Sequence, residues 1–447
     1  MSRILIQNAT LVNEGCIQSA DVLIEGDFIS AIASAHSIQS AEVTQVIDAT
    51  GLHLLPGLID DQVHFREPGL THKGDLTTET RAAIAGGITS FMEMPNTSPP
   101  ATTIELLEQK YARAAEVSPA NYSFFMGTTN TNIDELLKVD PRTICGIKIF
   151  MGSSTGNLLV DDAKALDEIF SQVKTLIAVH CECDAVIREN LNDYIQRNGE
   201  DVPPSAHPEI RSAQACYDSS SFAVELAKKH NTRLHILHIS SEMETHLFRN
   251  DIPLSEKRIT AEACTHHLWF TDEDYEERGN AIKWNPSVKS RRDRDAVREA
   301  VMDGRIDVIA TDHAPHTSEE KSKPYTSAPS GGPLVQHTLS ALLELVHQGV
   351  FTLELVVQKT SHQVAEMFQI DRRGYVREGY YADLVLVDMQ APYVVRKEDL
   401  LYKCGWSPFE GATFHSRVVS TFVNGTRVYH NGEIHADRMG MRMMFNR

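Results

Sequence analysis

The chain has 447 residues, of which 42% are hydrophobic and 23% are charged, as is ordinary for a globular protein with a sizeable core. Its 61 acidic residues outnumber its 42 lysines and arginines, so the formal net charge is −19. Such a charge argues against binding nucleic acid or anionic lipid through general electrostatics, and an anionic substrate would need local cations. No apolar stretch reaches the ~20 residues that span a bilayer, and the seven cysteines lack framework spacing. We therefore expect a cytoplasmic protein that binds neither nucleic acid nor membrane.

The first predicted elements are short strands separated by glycine turns. They occupy residues 1–55 and are Ile4–Ile6, Ala9–Val12, Asp21–Ile24, Phe28–Ile32, Val46–Asp48 and His53–Leu55.

From residue 56 to residue 372, apolar β-rich runs alternate with segments of helical periodicity. The predicted strands are Leu58–Val63, Ile88–Met94, Tyr122–Met126, Gly146–Phe150, Leu176–Val179, Arg233–Leu237, Arg258–Cys264 and Asp307–Ala310. The predicted helices are Leu106–Ala115, Ala163–Gln172, Asp184–Gln196, Ser220–His230, Arg292–Met302 and Leu334–Gln348. Right-handed crossovers make a (β/α)8 barrel the economical topology, with all strand carboxyl ends on one face. Two long irregular segments, Asn198–Ala213 and His313–Pro333, are typical of functional loops.

The end of the chain returns to strands and turns. Ala382–Val387 is strand-like, and Asn424-Gly425 between Arg417–Val423 and Arg427–Tyr429 predicts a hairpin with a type I′ turn. Because neither end has enough strands to bury a core alone, we predict one small β-sandwich from residues 1–55 plus 373–447, beside a barrel of residues 56–372. The basic, Met-rich segment 438–447 is expected to fray.

Chemically active side chains stand at or just after the ends of the predicted barrel strands. They are His64, Lys148, His180, His238 and Asp312. A single strand histidine is usually a core residue, but several candidate ligands at equivalent positions favour a divalent ion. Imidazole and carboxylate suit Zn²⁺, although similar sites hold other ions. The pattern indicates a metal-dependent hydrolase.

Lys148 is the unusual member of this set, because an ammonium group beside a metal would be repelled. Burial lowers the pKa of a lysine and supplies the free amine that reacts with CO2. N6-carboxylated Lys148 would be an anionic ligand able to bridge two metals ~3.5–4 Å apart. The apolar run Gly146–Phe150 is consistent with that modification.

Five motifs along the chain resemble those of the amidohydrolase superfamily, and most of all those of the dihydroorotase family, with a lysine motif of the hydantoinase type. The motifs are Asp61–Gly69, Met94–Thr97, Gly146–Gly152, Leu237–Ser240 and Thr311–His316, and the resemblance extends to Gly379–Val385. It implies reversible, metal-dependent hydrolysis and cyclisation between (S)-dihydroorotate and N-carbamoyl-L-aspartate in pyrimidine biosynthesis. It also implies one or two Zn²⁺ per subunit.

The resemblance assigns roles to individual residues. The metal ligands would be His64, Lys148, His180, His238 and Asp312, and Asp312 would also act as general base and then general acid. The small-molecule substrate and its carboxylate would be held by His64, Arg66, Asn96, Asn285, His316, Ser330 and Gly331. The alternative for Arg66 is a structural salt bridge with Glu67 or Asp61.

One position departs from the family pattern. The family motif begins His-x-His, whereas this chain has Gln62-Val63-His64. Gln62 offers at most a neutral amide oxygen, so it is the weakest candidate ligand and one metal subsite loses an imidazole. Weak coordination by Gln62, a water in its place, and a single tightly held metal all remain open.

Two other functions also remain open. The first is a catalytically inactive dihydroorotase-like scaffold associated with aspartate transcarbamoylase, which we would expect to have lost more than one ligand. The second is an allantoinase or hydantoinase, whose cyclic amide carries no matching carboxylate for Arg66. A homodimer is open as an assembly.

Overall fold

The computed structural model describes residues 2–38, 43–152, 158–436 and 438–447. Its strands, in chain order, are β1 (Arg3–Asn13), β2 (Cys16–Glu25), β3 (Phe28–Ser34), β4 (Gln45–Asp48), β5 (His53–Pro56), β6 (Leu58–Val63), β7 (Ile88–Glu93), β8 (Asn121–Phe124), β9 (Met126–Gly127), β10 (Ile147–Phe150), β11 (Ile177–His180), β12 (Leu234–Ile236), β13 (Ile259–Cys264), β14 (Val308–Ala310), β15 (Leu384–Asp388), β16 (Tyr393–Val394), β17 (Thr413–Phe414), β18 (Arg417–Val423), β19 (Thr426–His430) and β20 (Glu433–Ile434).

The α-helices lie mainly between the barrel strands. They are α1 (Leu76–Ala85), α2 (Ile104–Val117), α3 (Ile133–Leu136), α4 (Ala163–Gln172), α5 (Asp184–Asn198), α6 (His207–Ile210), α7 (Ala213–His230), α8 (Glu242–Thr245), α9 (Thr265–Trp269), α10 (Tyr275–Arg278), α11 (Arg291–Asp303), α12 (Ser318–Lys321), α13 (Thr338–His347), α14 (Leu353–Val357) and α15 (Gln363–Phe368). A π-helical turn, Gln358–His362, joins α14 to α15.

The strands from β6 to β14 form a closed parallel barrel. The segments β6-β7-β8 and β9-β10-β11-β12-β13-β14 are each hydrogen-bonded in sequence order. β8 and β9 are two pieces of one strand position, broken at Phe125, whose N–H donates to the Glu93 carbonyl at 3.0 Å. The barrel closes where the His64 N–H donates to the His313 carbonyl at 2.7 Å. The predicted (β/α)8 architecture is confirmed.

Strands from both ends of the chain form a single nine-stranded sheet, in the order β20-β19-β18-β15-β5-β1-β2-β3, with β4 paired to β1. Asn424 (φ 46°) and Gly425 (φ 72°) make the predicted hairpin turn between β18 and β19. The prediction of two separate strands, Ile4–Ile6 and Ala9–Val12, is wrong, because both lie in one strand, β1. A bulge with Asn8 at φ 62° joins its two halves.

The sheet and the barrel share a hydrophobic core. Val385 and Val423 of the sheet belong to the same buried cluster as Phe91 and Ile149 of the barrel. Because the two predicted units share this core, their division into residues 1–55 plus 373–447 and residues 56–372 stays a proposal.

The C-terminal segment 438–447 does not fray, so the prediction of a frayed end is wrong. The Tyr122 N–H donates to the Met441 carbonyl at 3.0 Å, and the Met443 N–H donates to the Tyr122 carbonyl at 2.9 Å. Met443 and Phe445 are buried against the barrel. Their apolar side chains outweigh the conformational entropy of a chain end.

All six predicted barrel helices are present, and one of them is shorter than expected. Helix α13 begins at Thr338 rather than Leu334. The backbone N–H groups of Leu334 and Gln336 donate instead to His313 Nδ1 and the Tyr402 hydroxyl, both at 2.9 Å.

None of the helices in the described part of the chain combines the length and the apolar character that a membrane span requires.

Candidate active site

One cavity of about 280 Å³ lies at the carboxyl ends of the barrel strands. It brings together every candidate site residue that the sequence predicted: Gln62, His64, Arg66, Asn96, Lys148, His180, His238, Asn285, Asp312, His316, Ser330 and Gly331. Sequence reasoning missed four further lining residues, namely Phe150, Trp284, Ala314 and Pro329. All four lie within the predicted motifs or next to predicted site residues, which is the only signal that could have found them.

His180 and His238 point their rings at a common position. His180 Nδ1 lies 2.9 Å from His238 Nε2, whereas a tetrahedral zinc would hold two such nitrogens about 3.3 Å apart. His180 Nε2 lies 3.0 Å from a carboxylate oxygen of Glu182, which is itself paired with Arg211. A carboxylate behind a histidine is a common support of a metal ligand, although His180 Nε2 forms no hydrogen bond of acceptable geometry within the described residues.

Lys148 is buried in the cavity wall, and its Nζ has no hydrogen-bond partner among the described residues. The ammonium position lies 4.6 Å from the centre of the Phe150 ring. Burial lowers the pKa of Lys148 to about 7, and the nearby carboxylates of Asp312 and Glu262 only partly oppose that effect. A substantial fraction of the side chain is therefore an uncharged amine near neutral pH.

A second set of cavity side chains contact one another, namely those of His64, Asp312 and Gln62. His64 Nδ1 lies 2.7 Å from Asn96 Oδ1, and His64 Nε2 lies 3.1 Å from Asp312 Oδ1. Burial lowers the pKa of His64, which favours the neutral ring. If Nδ1–H donates to Asn96, the Nε2 lone pair faces a carboxylate oxygen, an arrangement that a cation between the two atoms stabilises.

Gln62 contacts Asp312 through its amide nitrogen, which donates to Asp312 Oδ1 at 3.2 Å. Its amide oxygen lies 3.7 Å from the Cys264 sulfur. In this orientation Gln62 supports the Asp312 carboxylate and offers no ligand atom to the cavity.

Arg66 is buried in the same cavity and points its guanidinium toward His316. Its Nε donates to the Pro315 carbonyl at 3.1 Å, and its Nη2 lies 3.1 Å from His316 Nε2. Among the described residues no carboxylate forms an ion pair with Arg66, because Glu67 is taken by Arg113 at 2.8 Å. Burial lowers the pKa of Arg66 to about 10, so it remains a cation at neutral pH. The alternative of a structural salt bridge is therefore not realised.

His316 is held by groups outside the cavity. Lys73 Nζ lies 3.0 Å from His316 Nδ1 and 3.0 Å from a Glu320 carboxylate oxygen. Lys73 and Arg66 carry only donors and approach opposite nitrogens of the ring. A neutral ring accepts at one nitrogen only, so it accepts from Lys73 or from Arg66 and not from both. Burial lowers the pKa of His316 well below its ordinary value. His316 Nε2 also lies 3.0 Å from the Ser330 carbonyl, which can only accept.

The loop that carries Ser330 and Gly331 is fastened by two buried lysines. Lys283 Nζ donates to the carbonyls of Tyr325 and Ala328, each at 2.6 Å. Lys321 Nζ donates to the carbonyls of Pro329 and Gly331 at 3.0 and 2.8 Å. This part of the predicted irregular segment is therefore held in one conformation against the cavity.

Three of the site residues have left-handed backbone conformations, with φ of 73° at Arg66, 44° at His238 and 50° at Asp312. Each such residue costs of order 1–3 kcal/mol, and these conformations cluster at functional sites. They turn the chain sharply at the strand ends, so that these side chains face the cavity.

Comparisons with known proteins agree with this geometry. The model of the Amidohydrolase family matches residues 53–428. The dihydroorotase of Methanosarcina acetivorans is 33% identical over 423 residues, covering 92% of this chain and 89% of that protein. The dihydroorotase of Staphylococcus epidermidis is 31% identical over 428 residues, covering 95% and 99%.

Solved structures of the same architecture cover the whole chain. An L-hydantoinase (dihydropyrimidinase) from Arthrobacter aurescens superposes with a TM-score of 0.93 at 25% identity, covering 100% of both chains. A dihydropyrimidinase from Brevibacillus agri superposes with a TM-score of 0.88, also at 25% identity and 100% coverage of both chains. On sequence and structure together, the chain belongs to the amidohydrolase family and, within it, to the dihydroorotases.

Proposed function

We propose that the cavity converts (S)-dihydroorotate to N-carbamoyl-L-aspartate and back. The observation that carries this proposal is Arg66, a buried cation that faces the cavity and has no carboxylate partner among the described residues. A buried charge is costly unless it is paired, so the missing partner is best supplied by the substrate. Dihydroorotate and its open form both carry the carboxylate that a guanidinium binds best.

The residues of the cavity fit a divalent metal, which we take to be Zn²⁺. The donor set combines two facing imidazoles, His180 and His238, with the histidine–aspartate pair His64 and Asp312. When bound, such an ion polarises an amide carbonyl and makes water acidic enough to lose a proton near neutral pH. We propose that Lys148 joins this set after its uncharged amine adds to CO2, with release of one proton.

The remaining side chains orient the substrate. Arg66 and His316 would hold the carboxylate, with the amide of Asn96 beside them. Asn285 lines the cavity, and its Oδ1 has no hydrogen-bond partner among the described residues. That oxygen would accept a ring N–H, and Ser330 and Gly331 would enclose the ring from the loop.

Asp312 is the residue placed to move a proton. Gln62 and His64 both contact its Oδ1, which leaves Oδ2 without a contact to either side chain. We propose that this carboxylate takes a proton from the attacking water and then delivers it to the departing ring nitrogen.

A substrate panel tests the proposal. The metal-loaded protein should turn over dihydroorotate and N-carbamoyl-L-aspartate, and it should leave dihydrouracil and allantoin, which lack the carboxylate, essentially unchanged. Turnover of allantoin or dihydrouracil in place of dihydroorotate would assign a hydantoinase-type activity instead. A fully metal-loaded protein that turns over none of them would favour the scaffold, and copurification with aspartate transcarbamoylase would then be measured.

A further inference from the structure

A second group of ligand-type side chains lies beneath the cavity, inside the barrel. It consists of Asp61 on β6, His235 on β12 and Glu262 on β13, and all three are fully buried. None of the three lines the cavity described above. We name this group the inner triad.

The distances within the inner triad suit one metal ion. His235 Nε2 lies 3.2 Å from Asp61 Oδ2 and 3.7 Å from Glu262 Oε2. One donor atom from each residue lies within 4.8 Å of the others. Ligands at ~2.0–2.2 Å from a tetrahedral zinc would be about 3.3–3.6 Å apart.

The facing atoms of the inner triad have no other hydrogen-bond partners among the described residues. Both carboxylate oxygens of Asp61, Nε2 of His235 and Oε2 of Glu262 form no hydrogen bond of acceptable geometry within the described residues. Buried polar atoms are rarely left in this state. Three of them, Asp61 Oδ2, His235 Nε2 and Glu262 Oε2, face one another, which indicates a missing cation or a missing proton.

The opposite ends of two of these side chains are anchored, which fixes their direction. Glu262 Oε1 accepts the His238 backbone N–H at 3.0 Å. The Thr260 hydroxyl donates to the Leu234 carbonyl at 3.2 Å, so it accepts from His235 Nδ1–H, 2.9 Å away. A neutral His235 therefore presents the Nε2 lone pair, the form that binds a metal, to two carboxylates.

We propose that the inner triad binds a divalent transition ion of the zinc type, separate from any ion in the cavity. One imidazole and two carboxylates are ligands that Zn²⁺ accepts. The ion would tie β6, β12 and β13 together below the catalytic residues. The proposal concerns Asp61, directly before Gln62, where the chain departs from the His-x-His motif, and it does not depend on which ring the cavity hydrolyses.

The competing state is a proton in place of the metal. Burial alone would lower the pKa of His235, but Asp61 and Glu262 outweigh it and raise that pKa to about 9. A protonated His235 between two carboxylates would also satisfy Nε2. Metal binding displaces that proton, so metal content distinguishes the two states directly.

Metal analysis of three variants tests the proposal. The purified protein, saturated with Zn²⁺ and dialysed against a weak chelator, should lose about one equivalent of zinc on Asp61→Asn. The double variant His180→Ala/His238→Ala should lose the cavity zinc and keep the inner equivalent. Glu244→Gln, a matched change at a buried carboxylate bound by Ser220 and Ser241, should lose none. Equal zinc content in wild type and Asp61→Asn would overturn the proposal.

Anomalous diffraction keeps the test valid even if Asp61→Asn fails to fold. Crystals of the wild-type protein grown with Zn²⁺ should show an anomalous peak between Asp61, His235 and Glu262. A peak confined to the cavity, with none between these three residues, would show that the inner triad is a proton-bridged ion cluster. Loss of the dihydroorotase proposal alone would leave the inner peak in place.

Discussion

Arg66 is a buried cation that lines the cavity and has no carboxylate partner among the described residues. A hydrogen bond to a charged group is worth about 1.5–3 kcal/mol. We expect Arg66→Met to lower kcat/KM for dihydroorotate by roughly 10- to 100-fold or more. The matched control is Arg113→Met, which breaks the ion pair with Glu67 outside the cavity and should change kcat/KM little. Steady-state kinetics that show equal effects of the two changes would remove Arg66 from substrate binding.

Gln62 stands where the family motif has its first histidine, so a change at this residue tests how many ions the cavity binds. The change Gln62→His restores the histidine with which the His-x-His motif begins. We therefore expect the zinc content per chain to rise by about one equivalent over wild type. The control Gln62→Leu removes the hydrogen bond to Asp312 and should add no metal. Mass-spectrometric metal analysis after the same dialysis gives the answer, and an unchanged content in Gln62→His would mean that the missing imidazole is not what limits occupancy.

The sequence predicted the cavity residues better than it predicted the inner triad. His64, His180 and His238 stand at strand ends, where the barrel topology brings residues together whatever their distance along the chain. His235 stands mid-strand between Leu234 and Ile236, where a histidine resembles a core residue. Asp61 lies where the register of β6 against β7 shifts, between Asp60 and Val63, and no sequence pattern predicts such a shift.

At the scale of elements, the loop that follows β14 completes the cavity. Gly331 has φ 124°, and a Cβ at this position would lie 2.5 Å from the Ala314 carbonyl oxygen. We expect Gly331→Ala to displace the loop and to lower kcat/KM by about 10²-fold, the cost of a misplacement of roughly 1 Å, with unchanged zinc content. Gly349→Ala is the control, because Gly349 also has a positive φ of 72° but has no atom within 4 Å of the added Cβ. Comparable losses in both variants would mean that backbone strain, and not the loop, is responsible.

The C-terminal segment is a second element whose role can be measured. Met443 is fully buried, whereas the neighbouring Met444 is 46% exposed. Met443→Ala should destabilise the protein by about 2–5 kcal/mol, and Met444→Ala by no more than about 0.5 kcal/mol. Thermal denaturation of the two variants side by side measures the difference. Equal unfolding midpoints would mean that the C-terminal segment is frayed and does not stabilise the fold.

The elements that sequence reasoning missed have low intrinsic signals. Helix α1 contains three threonines among its ten residues, and β-branched residues lower helix propensity. It forms because Asp75 and Thr78 make a capping box at its start. Helices α14 and α15 are separated by the π-helical turn Gln358–His362, which interrupts the periodicity on which a prediction depends.

At the scale of the whole molecule, the proposed metal predicts a coupling between metal binding and stability. The facing nitrogens of His180 and His238 lie 2.9 Å apart, so an ion that both of them bind would stabilise the folded state. An ion at 1,000 times its dissociation constant adds about 4 kcal/mol. We expect chelation to lower the midpoint of thermal unfolding and Zn²⁺ to restore it, and the variant His180→Ala/His238→Ala should show a smaller restoration. Identical midpoints with and without the ion would argue against a metal in the folded protein.

The structure of the zinc-loaded protein with bound N-carbamoyl-L-aspartate tests the central claim most directly. A carboxylate of the ligand should lie within hydrogen-bonding distance of Arg66 and His316, with its carbamoyl end beside Lys148, His180 and His238. A ligand whose carboxylates avoid Arg66, or a cavity without zinc, would contradict the account.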